Sequence, residues 1–172
     1  MKRLFSLALA LCLVVGLCAC GSNLMEPVTF YYVRQADHIT YGAADGYISP
    51  EEREAAGHIG DLSYLLSLYL VGPLDETLVS PFPEGTRLEN LVLHQDTVVV
   101  VLSEEFSRLS GVELSVACAC VSATCFSLTD ATEITVISPE TEMHDGVSIT
   151  LTRDSITLID DALPPEETKK AE

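Results

Sequence analysis

Apolar residues recur along this chain with two different periods, and the switches between them mark out the elements. From Leu62 to Tyr69 they fall at Leu62, Leu65, Leu66 and Tyr69, the three-and-four spacing of one helical face. Asp61 stands where an N-cap belongs. Gly72-Pro73 ends the run, because glycine accepts the turn that closes a helix and proline cannot continue one. Residues 28–34 are rich in β-branched and aromatic side chains and read as the first strand, with Tyr31 facing opposite to Phe30 and Tyr32. Residues 39–41 read as a short strand returning beside it, and Tyr47-Ile48 as another short extended piece. Ser49-Pro50-Glu51-Glu52-Arg53-Glu54 reads as a capped helical start, with proline at the first helical position and acids in the first turn.

After the helix at 62–71 comes a link that no packed helix could use, Ser80-Pro81-Phe82-Pro83-Glu84-Gly85-Thr86. It leads into two strand-like runs, 88–94 and 97–102, joined at Gln95-Asp96 as a hairpin. Ser103-Glu104-Glu105-Phe106 opens a short helical turn with its acids at the positive end. Residues 112–128 read as a second helix whose buried stripe is Leu114, Cys118, Val121, Cys125 and Phe126 or Leu128. Residues 132–137 alternate as a strand. A last hairpin is expected from 147–152 and 155–159 around Arg153-Asp154. The core order is β-α-β-β-α-β. Its economical solution is an α+β fold, a mostly antiparallel sheet with the two main helices on one face, plus the extra C-terminal hairpin.

The 172 residues fit one domain with tails. Met1-Lys2-Arg3 is a basic start, and the apolar residues 4–17 are too short a run to span a bilayer. The run ends in Leu17-Cys18-Ala19-Cys20. A small residue before a cysteine, with an aliphatic residue three before it, resembles the lipobox of bacterial lipoproteins. The resemblance makes residues 1–19 a signal peptide and Cys20 the lipidated first residue of the mature chain. An ordinary secretory signal, with Cys20 a bystander, is the alternative. Residues 20–27 then form a tether, 28–159 a single domain and 160–172 an acidic disordered tail. Lys2 and Arg3 leave with the signal and no acid does, which takes the formal charge from −17 to −19. Charge of that sign repels nucleic acid and anionic headgroups. Nucleic-acid binding is excluded on this basis, and membrane contact falls to the lipid on Cys20.

Tyr64-Leu65-Leu66 through Gly72-Pro73, then Leu78, Ser80, Pro83 and Gly85-Thr86-Leu88, resemble the GerMN domain, the sporulation and spore germination domain. The hairpin with Val99, Val101 and Leu102-Ser103-Glu104-Glu105-Phe106 continues the likeness, as do the second helix to Thr124 and the strand at Ile134 to Ile137. It covers about half the chain, roughly 61–138, and a single unit where some members carry two. The resemblance implies a compact α/β module of exported envelope proteins, often lipoproteins. It also implies a link to the forespore envelope in spore formers and a fold similar to ring-building modules of secretion-type assemblies. The cysteines of the second helix stand where the pattern usually has Ala, Ile or Leu, so the resemblance implies no role for them.

No residue set in the chain calls for catalysis. Cys118 and Cys125 share a helical face but lie seven residues apart, roughly 10 Å along the axis, beyond the roughly 7 Å Cα limit of a disulfide. Cys120 points about 200° away from Cys118. No neighbouring histidine completes a zinc set, so the reading is Cys118 and Cys125 as small core residues, with the role of Cys120 open, no metal and no cofactor. His38, His58, His94 and His144 lie near acids, but no nucleophile motif accompanies them. Asp75, Glu76, Glu84 and Glu89 read as a solvated face that could also meet a basic partner. The expected function is non-enzymatic. It is that of a lipid-anchored, extracytoplasmic protein–protein module that binds envelope proteins and could self-associate through sheet edges. The alternative is a lipoprotein that takes a small ligand or cell-wall fragment beside Pro81-Phe82-Pro83. A concave, aromatic-lined pocket there would favour it, and a flat surface would favour the protein–protein module.

Overall fold

A computed structural model describes residues 27–36, 47–55 and 57–156. Strand β1 (Pro27–Arg34) buries Val28, Phe30 and Tyr32 on one side and turns Tyr31 the other way, as its alternation requires. It pairs antiparallel with β2 (Ile48–Glu54) on one edge and with the two residues of β3 (Leu78–Val79) on the other. A second sheet holds β4 (Leu88–His94), β5 (Thr97–Leu102), β6 (Glu133–Ser138) and β7 (Val147–Thr152) in that order. Helix α1 (Leu62–Leu70) and helix α2 (Gly111–Leu128) complete the α+β fold, as expected from the element order. Hydrophobic periodicity could not show that the strands divide between two sheets. Nor could it show that β5 and β6 run parallel, with α2 as their crossover.

Residues 49–54, expected as a helical start, are instead most of β2. Their burial has period two: Ser49 and Arg53 are buried, while Pro50, Glu52 and Glu54 are exposed. Pro50 sits opposite Tyr31 on an edge strand, where a missing N–H is tolerated. At the other end Arg153–Ser155 form a single 3-10 turn, so Ser155 closes that turn and does not open a return strand. The strand expected at 39–41, most of 155–159, the signal, residues 20–26 of the tether, the acidic tail, Cys20 and His38 lie outside the described residues, and Pro27, expected as the end of the tether, opens β1.

Helix α1 follows its sequence signals closely. Asp61 accepts a hydrogen bond from Tyr64 N–H at 3.1 Å, and Leu62, Leu65, Leu66 and Tyr69 are the buried face. Gly72 takes φ +109° after the last turn, a conformation that favours glycine. The helix lies against β1, with the Tyr69 ring 5.5 Å from Phe30 and 4.9 Å from Tyr32. One contiguous core joins these residues to Val98, Val100 and Leu102 of β5, Ile134 and Val136 of β6, and Cys118, Val121 and Cys125 of α2.

Helix α2 departs from the single buried stripe. From Ala117 to Phe126 only Ala119 is not fully buried, because β1 flanks the helix on one side and β6 on the other. By length and composition this helix could cross a membrane, but half of it is buried inside the domain, as in a core helix. The small residues Ala117, Cys120, Ser122, Ala123 and Thr124 let both sheets approach it. The helix also finishes the edge of β1 beyond the point where β3 stops. Tyr31 N–H donates to Thr124 Oγ1 at 2.9 Å, the Ser127 hydroxyl reaches Thr29 O at 2.6 Å, and the Tyr69 hydroxyl donates to Tyr31 O at 2.8 Å. Side chains thus take the place of a missing strand.

Candidate functional site: a groove beside the proline-rich loop

The proline-rich link is fixed by its own backbone. Thr86 N–H and its hydroxyl both donate to Pro83 O, at 3.2 and 2.8 Å, and Phe82 N–H donates to Ser80 Oγ at 3.3 Å. Gly85 has φ +90°, and a Cβ there would stand 3.6 Å from Glu105 Cγ. Ser103 ties the link to the end of β5. Its Oγ accepts from Arg87 N–H at 3.0 Å and donates to Glu105, while its N–H donates to Arg87 O at 2.9 Å. Ser138 donates to Ser103 O at 2.9 Å, which joins β6 to the same point. The hydrogen bond from Ser103 and then the bond from its own backbone N–H hold the Glu105 carboxyl below the ordinary glutamate range. Residues of the sequence signature, Gly72, Pro83, Gly85, Thr86, Ser103 and Phe106, are therefore spent on backbone shape and packing. The Phe82 ring meets Tyr69 edge-on at 5.3 Å and lies 6.3 Å from Phe106, which anchors the loop tip to the core.

That loop forms one wall of a groove of about 350 Å³. Val79, Ser80, Pro81, Phe82 and Pro83 face Leu109, Val112, Glu113 and Val116 across it, and Val33 and Tyr47 complete the lining. The first turns of α2 are exposed, unlike its second half. Val112 stands 78% exposed and Tyr47 48%, so two large apolar side chains frame the mouth. Among the described lining residues, Glu113 carries the single charge and Ser80 the other non-aromatic polar group. The expected test for a ligand pocket, a concave and aromatic-lined surface at Pro81-Phe82-Pro83, is met in shape. The chemistry is that of an apolar slot.

The other candidates do not converge into a reaction centre. Cys118, Cys120 and Cys125 are free and fully buried, as read from helical spacing for Cys118 and Cys125. Burial pushes each thiol up to about 12, with the neighbouring Cys118 adding to the effect at Cys120. His58 stacks on the Tyr64 ring at 3.8 Å, and His94 and His144 are exposed. Asp75, Glu76, Glu84 and Glu89 are exposed too, and Asp75 turns back to bond Thr77. Among the described residues no three His, Cys, Asp or Glu side chains are placed to share a metal ion.

One buried polar group is hidden from the sequence, because its segment carries the local signs of a helix start. Arg53, 8% exposed, donates from Nε to Glu51 at 2.7 Å and from Nη2 to Gly72 O. Its guanidinium lies 5.4 Å from the Phe30 ring centre and 5.8 Å from that of Tyr32. Glu51 in turn accepts from Leu74 N–H and Asp75 N–H, both at 2.7 Å. Strand β2 thereby clamps the chain where it leaves α1, upstream of the groove loop. The spacing Glu51-x-Arg53, two like-facing positions on a strand, is the signal that could have shown it.

Comparison with known proteins places these features in a family. The model of Germane, described as sporulation and spore germination, matches residues 29–138. That is further toward the N-terminus than the stretch carrying the sequence resemblance, and it takes in β1 and β2. The tandem GerMN domains of the sporulation protein GerM from Bacillus subtilis are similar in structure, with TM-score 0.54 and 15% identity over 80% of this chain and 49% of that one. The chain thus spans about half the length of that structure. A Clostridium perfringens protein provisionally named a lipoprotein has TM-score 0.46 and 15% identity over 79% of this chain and 94% of its own. No curated protein matches by sequence.

Proposed function

We propose that this chain, which belongs to the Germane family of sporulation and spore germination, is a non-enzymatic docking module of the cell envelope, held at the outer face of the membrane by a lipid on Cys20. The apolar groove beside the Pro81-Phe82-Pro83 loop carries the proposal. It is a recessed surface on a rigid loop, away from any convergence of acid, base and nucleophile among the described residues. The Leu17-Cys18-Ala19-Cys20 sequence supports the anchor and the extracytoplasmic location. The charge of −17 speaks against nucleic acid as a partner.

The alternative occupant, a cell-wall fragment, gains from the concave shape and loses on chemistry. Sugar hydroxyls need several convergent polar groups, and the lining side chains offer few besides Ser80 and Glu113. An apolar protein side chain suits the slot better. The test is photo-crosslinking in the native host, with a photoreactive amino acid at Val112, followed by identification of the adducts. Adducts to envelope proteins are expected, and their loss when Cys20→Ser releases the chain from the membrane fraction. A chain that crosslinks to no protein would overturn the docking reading, and one that stays membrane-bound as Cys20→Ser would overturn the anchor.

A further inference from the structure

We infer that the groove receives an apolar side chain from a cationic segment of the partner protein, with a lysine or arginine beside that side chain paired to Glu113. The inference rests on the docking reading above and names the chemistry of what docks.

Size comes first. A volume of about 350 Å³ lies at the small end of ligand pockets, enough for a side chain or two and not for an extended glycan. Its walls are Val33, Val79, Phe82, Leu109, Val112 and Val116 with two prolines, so the group that enters must be apolar to gain from burial. Charge then decides what flanks that group. Lys2, Lys169 and Lys170 all lie outside the described residues, and no arginine lines the groove. Arg53 and Arg153 are bound to backbone carbonyls, and Arg87 sits 3.5 Å from Glu105. Glu113 lines the groove, and Glu84 is the next residue in sequence after the lining Pro83; both are exposed. Among the described residues no lysine or arginine lines the slot; Arg34 and Arg108 stand one position away from lining residues, with Arg34 bonded to Ser49 Oγ at 3.2 Å, so Glu113 sets the charge at the lining of a strongly acidic protein. An acidic segment is repelled, and a basic one is drawn in and gains an ion pair at the rim.

The experiment selects phage-displayed random dodecapeptides on the full chain in detergent micelles. Enriched peptides are then synthesised and measured by fluorescence anisotropy. Two variants at exposed positions, Glu113→Lys and Val112→Ser, serve as controls, with thermal midpoints checked against the parent. Enriched peptides are expected to carry an aliphatic or aromatic residue next to Lys or Arg. Glu113→Lys should weaken them about tenfold, Val112→Ser by a smaller factor, and added salt should weaken the parent complex. Enrichment of acidic or neutral peptides, peptides indifferent to both variants, or no enrichment at all would overturn the inference. So would a disaccharide-tetrapeptide wall fragment that binds the parent and not the variants, or self-association that both variants abolish. Repeating the cellular crosslinking with Glu113→Lys separates the two readings. Envelope adducts that persist unchanged sink the cationic segment and leave docking standing, whereas a parent chain without adducts sinks docking itself.

Discussion

The clamp formed by Arg53 is the sharpest place to test how this fold is held. Replacing Arg53 with Met keeps much of the aliphatic stem and removes the guanidinium from between β2, the Phe30 and Tyr32 rings and Gly72 O. The two side chains are 6% and 8% exposed, so the loss is felt in a poorly solvated place. Breaking a buried pair from one side costs about 3–5 kcal/mol. Glu51 keeps its bonds from Leu74 and Asp75 N–H, which offset part of that, and we expect a cost of about 3 kcal/mol, at the low end of that range. For a domain of this size the corresponding fall in Tm is roughly 10 °C. Glu51→Gln alone should also destabilise. The double variant should be more stable than the sum of the two by about 1–2 kcal/mol, because the second change relieves an unpaired charge left by the first. Urea unfolding followed by far-UV circular dichroism is the assay, since the chain has 0 tryptophans. A loss below about 1 kcal/mol for Arg53→Met, or strict additivity in the double variant, would refute the view that this pair clamps β2 to the α1 exit.

Thr124→Val, nearly isosteric, should cost about 1–3 kcal/mol by removing the hydroxyl that accepts from Tyr31 N–H, whereas Thr124→Ser should cost less; a negligible loss for Val beside a clear loss for Ser would mean that the methyl group matters and the hydroxyl does not. Cys118, Cys120 and Cys125, with thiols pushed up to about 12 by burial, should resist iodoacetamide at neutral pH until denaturant is added, as read by mass spectrometry. Glu105 has its carboxyl held low in the fold, so its contribution is complete above the ordinary glutamate value and fades as pH falls through the lower folded value. Ser103→Ala should raise that folded value and flatten the acid limb of Tm against pH; an unchanged limb would contradict the assignment to Ser103. Arg153→Ala removes donors to Phe126, Thr129 and Ala131 carbonyls at the end of α2 and should cost about 1–2 kcal/mol in thermal unfolding.

Local periodicity made α1, the β4–β5 hairpin and the span of α2 legible, because each is set by spacing and by a cap, a turn or a glycine within a few residues. Asp61, Gly72 and the Gln95-Asp96 turn do in the fold what their positions imply. What failed did so for tertiary reasons. Ser49-Pro50-Glu51-Glu52 has the local signs of a helix start, but pairing with β1 and the burial of Arg53 outweigh them. The spacing on α2 shows a single buried stripe, since a sequence cannot show that a second sheet will cover the other side. The signature around Ser80–Thr86 and Ser103–Phe106 was traceable, and the backbone bonds explain it. The groove itself was not legible, because Leu109 and Val112 come to share its lining with Phe82 only through the tertiary fold.

The replacement of a strand by Thr124, Ser127 and Tyr69 along the edge of β1 has a mechanical consequence. Any pull delivered through residues before Pro27 enters the domain at a strand held on both sides, by the β2 ladder and by hydroxyls of the helices. A load applied along β1 would have to shear those bonds together, where a free edge would peel one bond at a time. The first strand is thus built as a fixing point, and α2, which lends it the Thr124 and Ser127 hydroxyls, also carries Val112 and Glu113 at its other end.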